Sequence, residues 1–141
     1  MDQPSQTVAP TLLPSRALAL ARRVFGPLWW RVGFTAVLEV PGRLTGRPLR
    51  VSLFPIEVDG TWYLLSHYGV TEWVRNLRAA GRGDLRRKGG AKAFAAVEVG
   101  GTERDRVIAV FEARTPKPFR RDFDRLPEAS SHPTFRLEPI G

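Results

Sequence analysis

Cysteine is absent from this 141-residue chain. That excludes a disulfide scaffold, a thiol nucleophile and any metal or cluster held by thiolates, and it fits a reducing, cytoplasmic setting. Histidine is nearly absent: His67 and His132 are the two, too far apart in sequence to suggest a metal site. No Ser-His-acid arrangement is visible, and no carboxylates pair where acid–base work would need them. Long hydrophobic runs are missing too. The longest apolar stretches are broken by Arg22-Arg23 and Arg31, so no segment is expected to span a bilayer. The opening Met1-Asp2-Gln3-Pro4-Ser5-Gln6 is polar and lacks the basic start of a secretory signal.

What is present points to one domain. Hydrophobic residues make up 43% of the chain, enough for a single core at this length. The formal net charge is +8, carried almost wholly by arginine. Such a surplus attracts anions, whether nucleic acid, acidic lipid or a phosphorylated small molecule. A genome rich in G and C would also favour arginine codons.

Residues 1–14 contain three prolines and little pattern, and read as a flexible arm before a single domain over 15–141. Ser15 can cap a helix in which Leu18, Ala21, Arg22 and Phe25 recur at helical spacing, until Gly26-Pro27 breaks it. With Leu28-Trp29-Trp30 this helix either covers one mouth of a barrel or rests on a membrane surface.

Strand signals start at Phe34 and run to Val40, with Pro41-Gly42 ending the segment. Arg50 to Val58 reads as a second strand. Asp59-Gly60 is a two-residue hairpin turn, and Thr61 to Ser66 returns as a third strand. Thr71 to Ala80 reads as a helix, with Thr71 as N-cap, Glu72 at the positive end of the dipole and Gly81 at C′. Trp73, Asn76, Leu77 and Ala80 share its buried face. Short strands are expected at Asp84–Lys88 and Ala93–Val99, a helix at Glu103–Ala113, a helical turn around Phe119–Leu126, and a closing strand at Thr134–Glu138. Many short hairpin strands with few helices, and no βαβ alternation, predict a mainly β (α+β) fold: a small split or closed barrel with flanking helices.

Two motifs carry chemistry. In Gly42-Arg43-Leu44-Thr45-Gly46-Arg47-Pro48-Leu49-Arg50, glycines bend the chain beside three arginines. Glycine lets backbone N–H groups approach an anion, and arginine forks bind phosphate or carboxylate. The loop lacks the Gly-Lys-Ser/Thr ending of a Walker loop and the spacing of the dinucleotide fingerprint. Read without a ligand, it is an exposed basic hairpin. The second motif is Trp73-Val74-Arg75-Asn76-Leu77-Arg78-Ala79-Ala80-Gly81, where Asn76 sits on the buried face. A buried amide needs partners: it either caps a neighbouring loop or bonds a ligand held between helix and sheet. Trp73 is either core or an aromatic wall for a planar ring. His67, in the loop after the third strand, is positioned to donate to a ligand, while His132 before Pro133 shapes a turn. The stretch Arg75 to Lys92 is strongly basic. It suits a solvated face, steering of an anionic cofactor, or nucleic acid, although no RNA-stacking motif accompanies it.

In this order the two motifs resemble the deazaflavin-dependent nitroreductase family, which is similar in fold to the flavin-binding split barrels. The family pattern is a Gly-Arg-Lys/Arg-Ser/Thr-Gly-x-Pro-Arg loop, a hairpin around Asp-Gly, then Trp-x-x-Asn-Leu-Lys/Arg-Ala. Here these are Gly42 to Arg50, Asp59-Gly60, and Trp73 to Ala79, in agreement over about residues 36–100. His132-Pro133-Thr134-Phe135-Arg136-Leu137 also looks like one branch of the family. Leu44 replaces the usual basic residue, one residue is inserted between Pro48 and Arg50, and the tyrosines that some members place near the substrate are absent from the C-terminal third.

The resemblance implies coenzyme F420, a deazaflavin joined through a phosphate to an oligoglutamate tail, with FMN as the alternative. It implies that Arg43 and Arg50 hold the phosphate and tail with Arg47 and Thr45 assisting. Ser66 and the His67 backbone line the ring, Trp73 and Asn76 lie beside it, and Arg78 adds charge. The implied reaction is hydride transfer from reduced deazaflavin to a quinone, enone or related conjugated acceptor, in a protein that works as a homodimer. Two rivals are a non-catalytic carrier of F420, flavin or a haem-like ligand on the same fold, and a basic nucleic-acid-binding module. No specific nucleic acid is expected, and peripheral membrane contact would run through the N-terminal helix.

Overall fold

Ala36-Val37-Leu38-Glu39-Val40 buries every second side chain, as one sheet face against a core requires. The computed structural model describes residues 35–87 and 90–140. The proposed N-terminal arm, the helix from Ser15, the Leu28-Trp29-Trp30 cluster and Lys88-Gly89 lie outside the described residues.

Seven strands follow: β1 (Ala36–Pro41), β2 (Pro48–Leu53), β3 (Ile56–Val58), β4 (Thr61–Leu65), β5 (Arg82–Arg87), β6 (Gly90–Val99) and β7 (Thr134–Pro139). Helix α1 (Glu72–Ala80) links β4 to β5. Helix α2 (Gly101–Arg114) and the single-turn α3 (Arg121–Asp124) lie between β6 and β7. The sheet order is β2-β1-β5-β6-β7-β4-β3, and every pairing is antiparallel.

The two edges of this sheet, β2 and β3, are consecutive in the chain and separated only by Phe54-Pro55. Three residue steps span at most about 11 Å, so the edges are held close together and the sheet curls. The fold is a split barrel, mainly β with flanking helices, as the hairpin-rich sequence predicts. The single strand expected over 50–58 is instead broken at Phe54-Pro55. Proline has no N–H for a ladder and is confined to edges and breaks, and here it marks the point where one strand leaves one edge and joins the other.

Inside the barrel, Leu38, Val40, Val51, Leu53, Leu64, Phe94, Phe135 and Leu137 form one cluster, plugged from one side by Trp73, Val74 and Leu77 of α1. Strand β4 is buried on both faces. Leu64 points inward, while Tyr63 packs on Val107 of α2 and Leu65 on Ile108 and Phe123. This explains why Trp62-Tyr63-Leu64-Leu65 is apolar throughout and does not alternate. Glu103 fastens α2 to the sheet by accepting from Tyr63 Oη at 2.8 Å and from Arg136 Nη1 at 2.8 Å.

Candidate functional site

The β1–β2 loop is shaped by its backbone. Gly42 N–H donates to Arg47 O at 2.8 Å and Gly46 N–H donates to Gly42 O at 2.8 Å. Gly46 takes φ 79°, a left-handed conformation natural to glycine. Gly42 is buried, and a Cβ there would lie 3.1 Å from Arg47 O and 3.2 Å from Leu49 Cδ1, so the turn closes tightly only on glycine. Leu44 stands at the tip, 83% exposed.

This loop docks on α1. The buried Asn76 side chain accepts from Arg43 N–H at 3.1 Å and from Arg43 Nη1 at 2.8 Å. The same Nη1 donates to Glu72 Oε1 at 2.7 Å, and Arg75 Nη1 donates to Glu72 Oε2 at 2.9 Å. The hydrogen bond from the Arg43 guanidinium, reinforced by Arg75, holds the Glu72 carboxyl below its ordinary range. The two sequence motifs therefore meet in space, and the contact between them is the Arg43–Asn76 clamp. Asn76 does cap a neighbouring loop, and that loop is the arginine-bearing one.

Helix α1 contributes its N-terminus to the same junction. Thr71 holds the N-cap position but makes no side-chain cap bond, and its buried hydroxyl oxygen has no partner among the described residues. At the other end Gly81 adopts φ 68° and returns its N–H to Leu77 O at 2.8 Å, the expected C-terminal stop.

A scan against family models matches residues 22–125 to the model described as F420H2-dependent quinone reductase. That span contains the loop, the Asp59-Gly60 hairpin and α1. The chain belongs to the F420H2-dependent quinone reductase family. A comparison with curated proteins gives no match. Among solved structures, the chain is similar to an F420-H2 dependent reductase (FDR-A), at 21% identity and TM-score 0.55, over 74% of this chain and 93% of that one. It is similar to HutZ, a haem storage protein from Vibrio cholerae, at 17% identity and TM-score 0.58, over 90% of each chain. It is also similar to a FAD-binding protein from Mesorhizobium loti, at 16% identity and TM-score 0.54, over 82% and 90%. These likenesses establish the split-barrel fold. Their different ligands show that the fold alone does not choose a ligand.

The other residues singled out from the sequence of this family member are placed as follows. Thr45 Oγ1 accepts from Arg47 N–H at 3.2 Å, and the Arg47 side chain is exposed and makes no ion pair among the described residues. Arg50 lies across the ladder from Glu39 and donates to it at 3.2 Å. Arg86 donates to the same carboxylate at 2.6 Å, the stronger influence holding Glu39 below its usual range. Arg78 forks onto Glu98 of β6 with two bonds of 2.8 Å. The Trp73 ring is 1% exposed, with its centroid 6.0 Å from that of Phe135, so it serves as core at this junction.

Ser66 and His67 belong to the β4–α1 loop. Ser66 is fully buried, its hydroxyl donates to Gly69 O, and its N–H donates to Pro133 O at 2.9 Å. The His67 ring is half-buried, 4.8 Å from Phe111 and 5.7 Å from Phe123. This burial pushes it down to about 4. His132 does more than shape a turn. It is buried, stacks on Phe123 at 3.8 Å, and places Nδ1 2.8 Å from Ser66 O and Nε2 2.6 Å from Leu126 O. It thereby ties the β4–α1 loop to the C-terminal segment.

Three further residues join the site through contacts that local sequence does not show. Glu72 and Arg75 were legible as an i,i+3 pair, but their link to Arg43 crosses 29 positions. Tyr68, beside His67, donates to Asp122 Oδ2 at 3.1 Å; burial first, and then the Asp122 charge, push its phenol up to about 12.

Proposed function

We propose that this protein binds F420 and passes the hydride of the reduced coenzyme to a quinone, enone or related conjugated acceptor. The observation that supports this reading best is the docking of the arginine loop on α1 through Arg43 and Asn76, inside the span matched by the family model. The donor set suits the coenzyme. Arg43 and Arg75 bring guanidinium groups together at one loop–helix junction through Glu72, Arg47 on the same loop is exposed and makes no ion pair among the described residues, and such forks match phosphate and carboxylate oxygens. The Thr71 hydroxyl at the start of α1, without a partner among the described residues, offers a further polar group there.

When bound, the deazaflavin supplies the hydride chemistry. The protein's part is grip and orientation. Arg43 and Arg47 would hold the phosphate and tail, with Thr45 supporting the Arg47 backbone. The Ser66–His67 backbone would border the ring, and Asn76 would hold Arg43 in place. Trp73 acts from beneath by fixing the position of α1. Arg50 and Arg78 face Glu39 and Glu98 and would add field more than direct contact. A homodimer that completes the site in pairs is part of the same proposal, and light scattering tests it.

Fluorescence titration with F420, FMN and haem in parallel tests the ligand, and turnover of reduced F420 with a menadione-type acceptor tests the reaction. We expect F420 to bind preferentially. Arg43→Ala should weaken F420 by about 1.5–3 kcal/mol, or about 10- to 150-fold in Kd. Preference for FMN or haem, or unchanged F420 affinity in the variant, overturns the assignment. The haem-storing HutZ and the FAD-binding protein share this fold, so a carrier is the second reading. Tight F420 binding without turnover across a panel of acceptors would decide for it.

A further inference from the structure

Glu72 presents its two carboxylate oxygens to two different cations. Oε1 accepts from Arg43 of the loop at 2.7 Å, and Oε2 accepts from Arg75 of the helix at 2.9 Å. A phosphate, or the carboxylate of a glutamate tail, offers the same two-oxygen edge to a pair of guanidinium groups. The Glu72 side chain is 37% exposed and Arg43 27%, so water and ligand reach both. Exposed ion pairs of this kind add little stability. Asn76 already anchors Arg43 through its Oδ1, so the loop stays docked when Glu72 lets go.

We propose that Glu72 is a built-in stand-in for the anionic handle of the ligand, displaced from Arg43 when the phosphate or a tail carboxylate arrives. It thereby moderates affinity for the charged part of the coenzyme. This rests on the F420 reading above. The carboxylate holds the two guanidinium groups side by side, ready for an anion, and competes with the anion it prepares them for. Part of what the handle gains at Arg43 is therefore offset by the Glu72 contact given up, and the uncharged ring would contribute separately.

Glu72→Gln tests this, since it keeps the shape and the oxygen acceptor while removing the competing charge. In a low-salt titration of the full chain, Glu72→Gln should bind F420 about two- to fivefold more tightly than the unaltered protein. Its affinity for the deazaflavin ring fragment stripped of phosphate and glutamates should not change. The gain should vanish in an Arg43→Ala background, where the displaced contact no longer exists. Equal or weaker F420 binding by Glu72→Gln overturns the inference while leaving the coenzyme reading intact. A gain that persists without Arg43 also overturns it, because it then reflects only net charge. Failure of both the unaltered chain and Glu72→Gln to bind F420 defeats the coenzyme reading and this inference together. Thermal unfolding of each variant confirms that the compared proteins are folded.

Discussion

Asn76 is the residue on which the junction turns. It is 2% exposed, and its carbonyl oxygen takes both the backbone N–H and the guanidinium of Arg43. Asn76→Ala leaves the backbone donor and the charged donor without that acceptor. We expect a loss of about 1–3 kcal/mol in urea unfolding, together with weaker F420 binding as the loop loosens. Full stability in the variant would show that the clamp carries no energy. The type of residue was readable from sequence, since an amide on the buried face of a helix must find partners. Its partner was not readable, because nothing local links position 76 to position 43. Trp73 shows the same limit from the other side. Its spacing marked it as inward-facing, but only tertiary packing decides between a core ring against Phe135 and a ring open to a ligand.

His67 carries a pH dependence of its own. Its ordinary value is 6.5, and burial beside Phe111 and Phe123, helped by the nearby His132, brings it to about 4 in the folded chain. The unfolded chain therefore binds this proton more readily. The contribution of His67 to stability is complete above pH 6.5 and is lost as pH falls toward 4. The loss from this one group amounts to at most about 3 kcal/mol. His67→Phe should flatten that part of the profile in denaturation experiments run from pH 7 to pH 4. A variant profile parallel to that of the unaltered protein would contradict the burial argument.

At the scale of elements, local chemistry was the better guide. Asp59-Gly60 adopts φ 51° and 84°, the two positive values that a tight two-residue hairpin requires. Gly60→Ala forces a Cβ into that conformation and should cost about 1 kcal/mol or more in thermal unfolding, although nothing lies within 4 Å to clash with it. An unaltered midpoint would mean that the turn relaxes at no cost. Helix α1 ends where Gly81 predicts, and β7 follows its alternation. The weaker reading was the strand over 50–58. Pro55 is a local signal for a break inside a run of β-forming residues, but that the break sends one strand to each edge follows from closure of the sheet, a property of all seven strands. Likewise β5 begins at Arg82, earlier than its composition suggests, because Gly83 packs beneath β1 where a Cβ would meet Glu39 O at 3.1 Å.

Over the whole molecule the formal charge of +8 suggests a nucleic-acid surface. The pairing of those charges argues otherwise. Within the basic stretch, Arg75 pairs with Glu72, Arg78 with Glu98 and Arg86 with Glu39. Beyond it, Arg136 pairs with Glu103 and Glu138. Several cations of this run thus face anions on the same helix or on a neighbouring strand, where linear sequence displays a run of arginines. A duplex interface neutralising six to ten phosphates would lose about 10³- to 10⁵-fold in affinity between 50 and 200 mM salt. A grip on one phosphate and a short tail, centred on Arg43 and Arg47, involves few charges and should lose about tenfold or less over the same range. We therefore expect a shallow salt dependence for F420, and no displacement of bound F420 by single- or double-stranded DNA at physiological salt. Fluorescence competition measures both. Efficient displacement by DNA, with a steep salt slope, would move the function of this surface from a small anionic coenzyme to a polyanion.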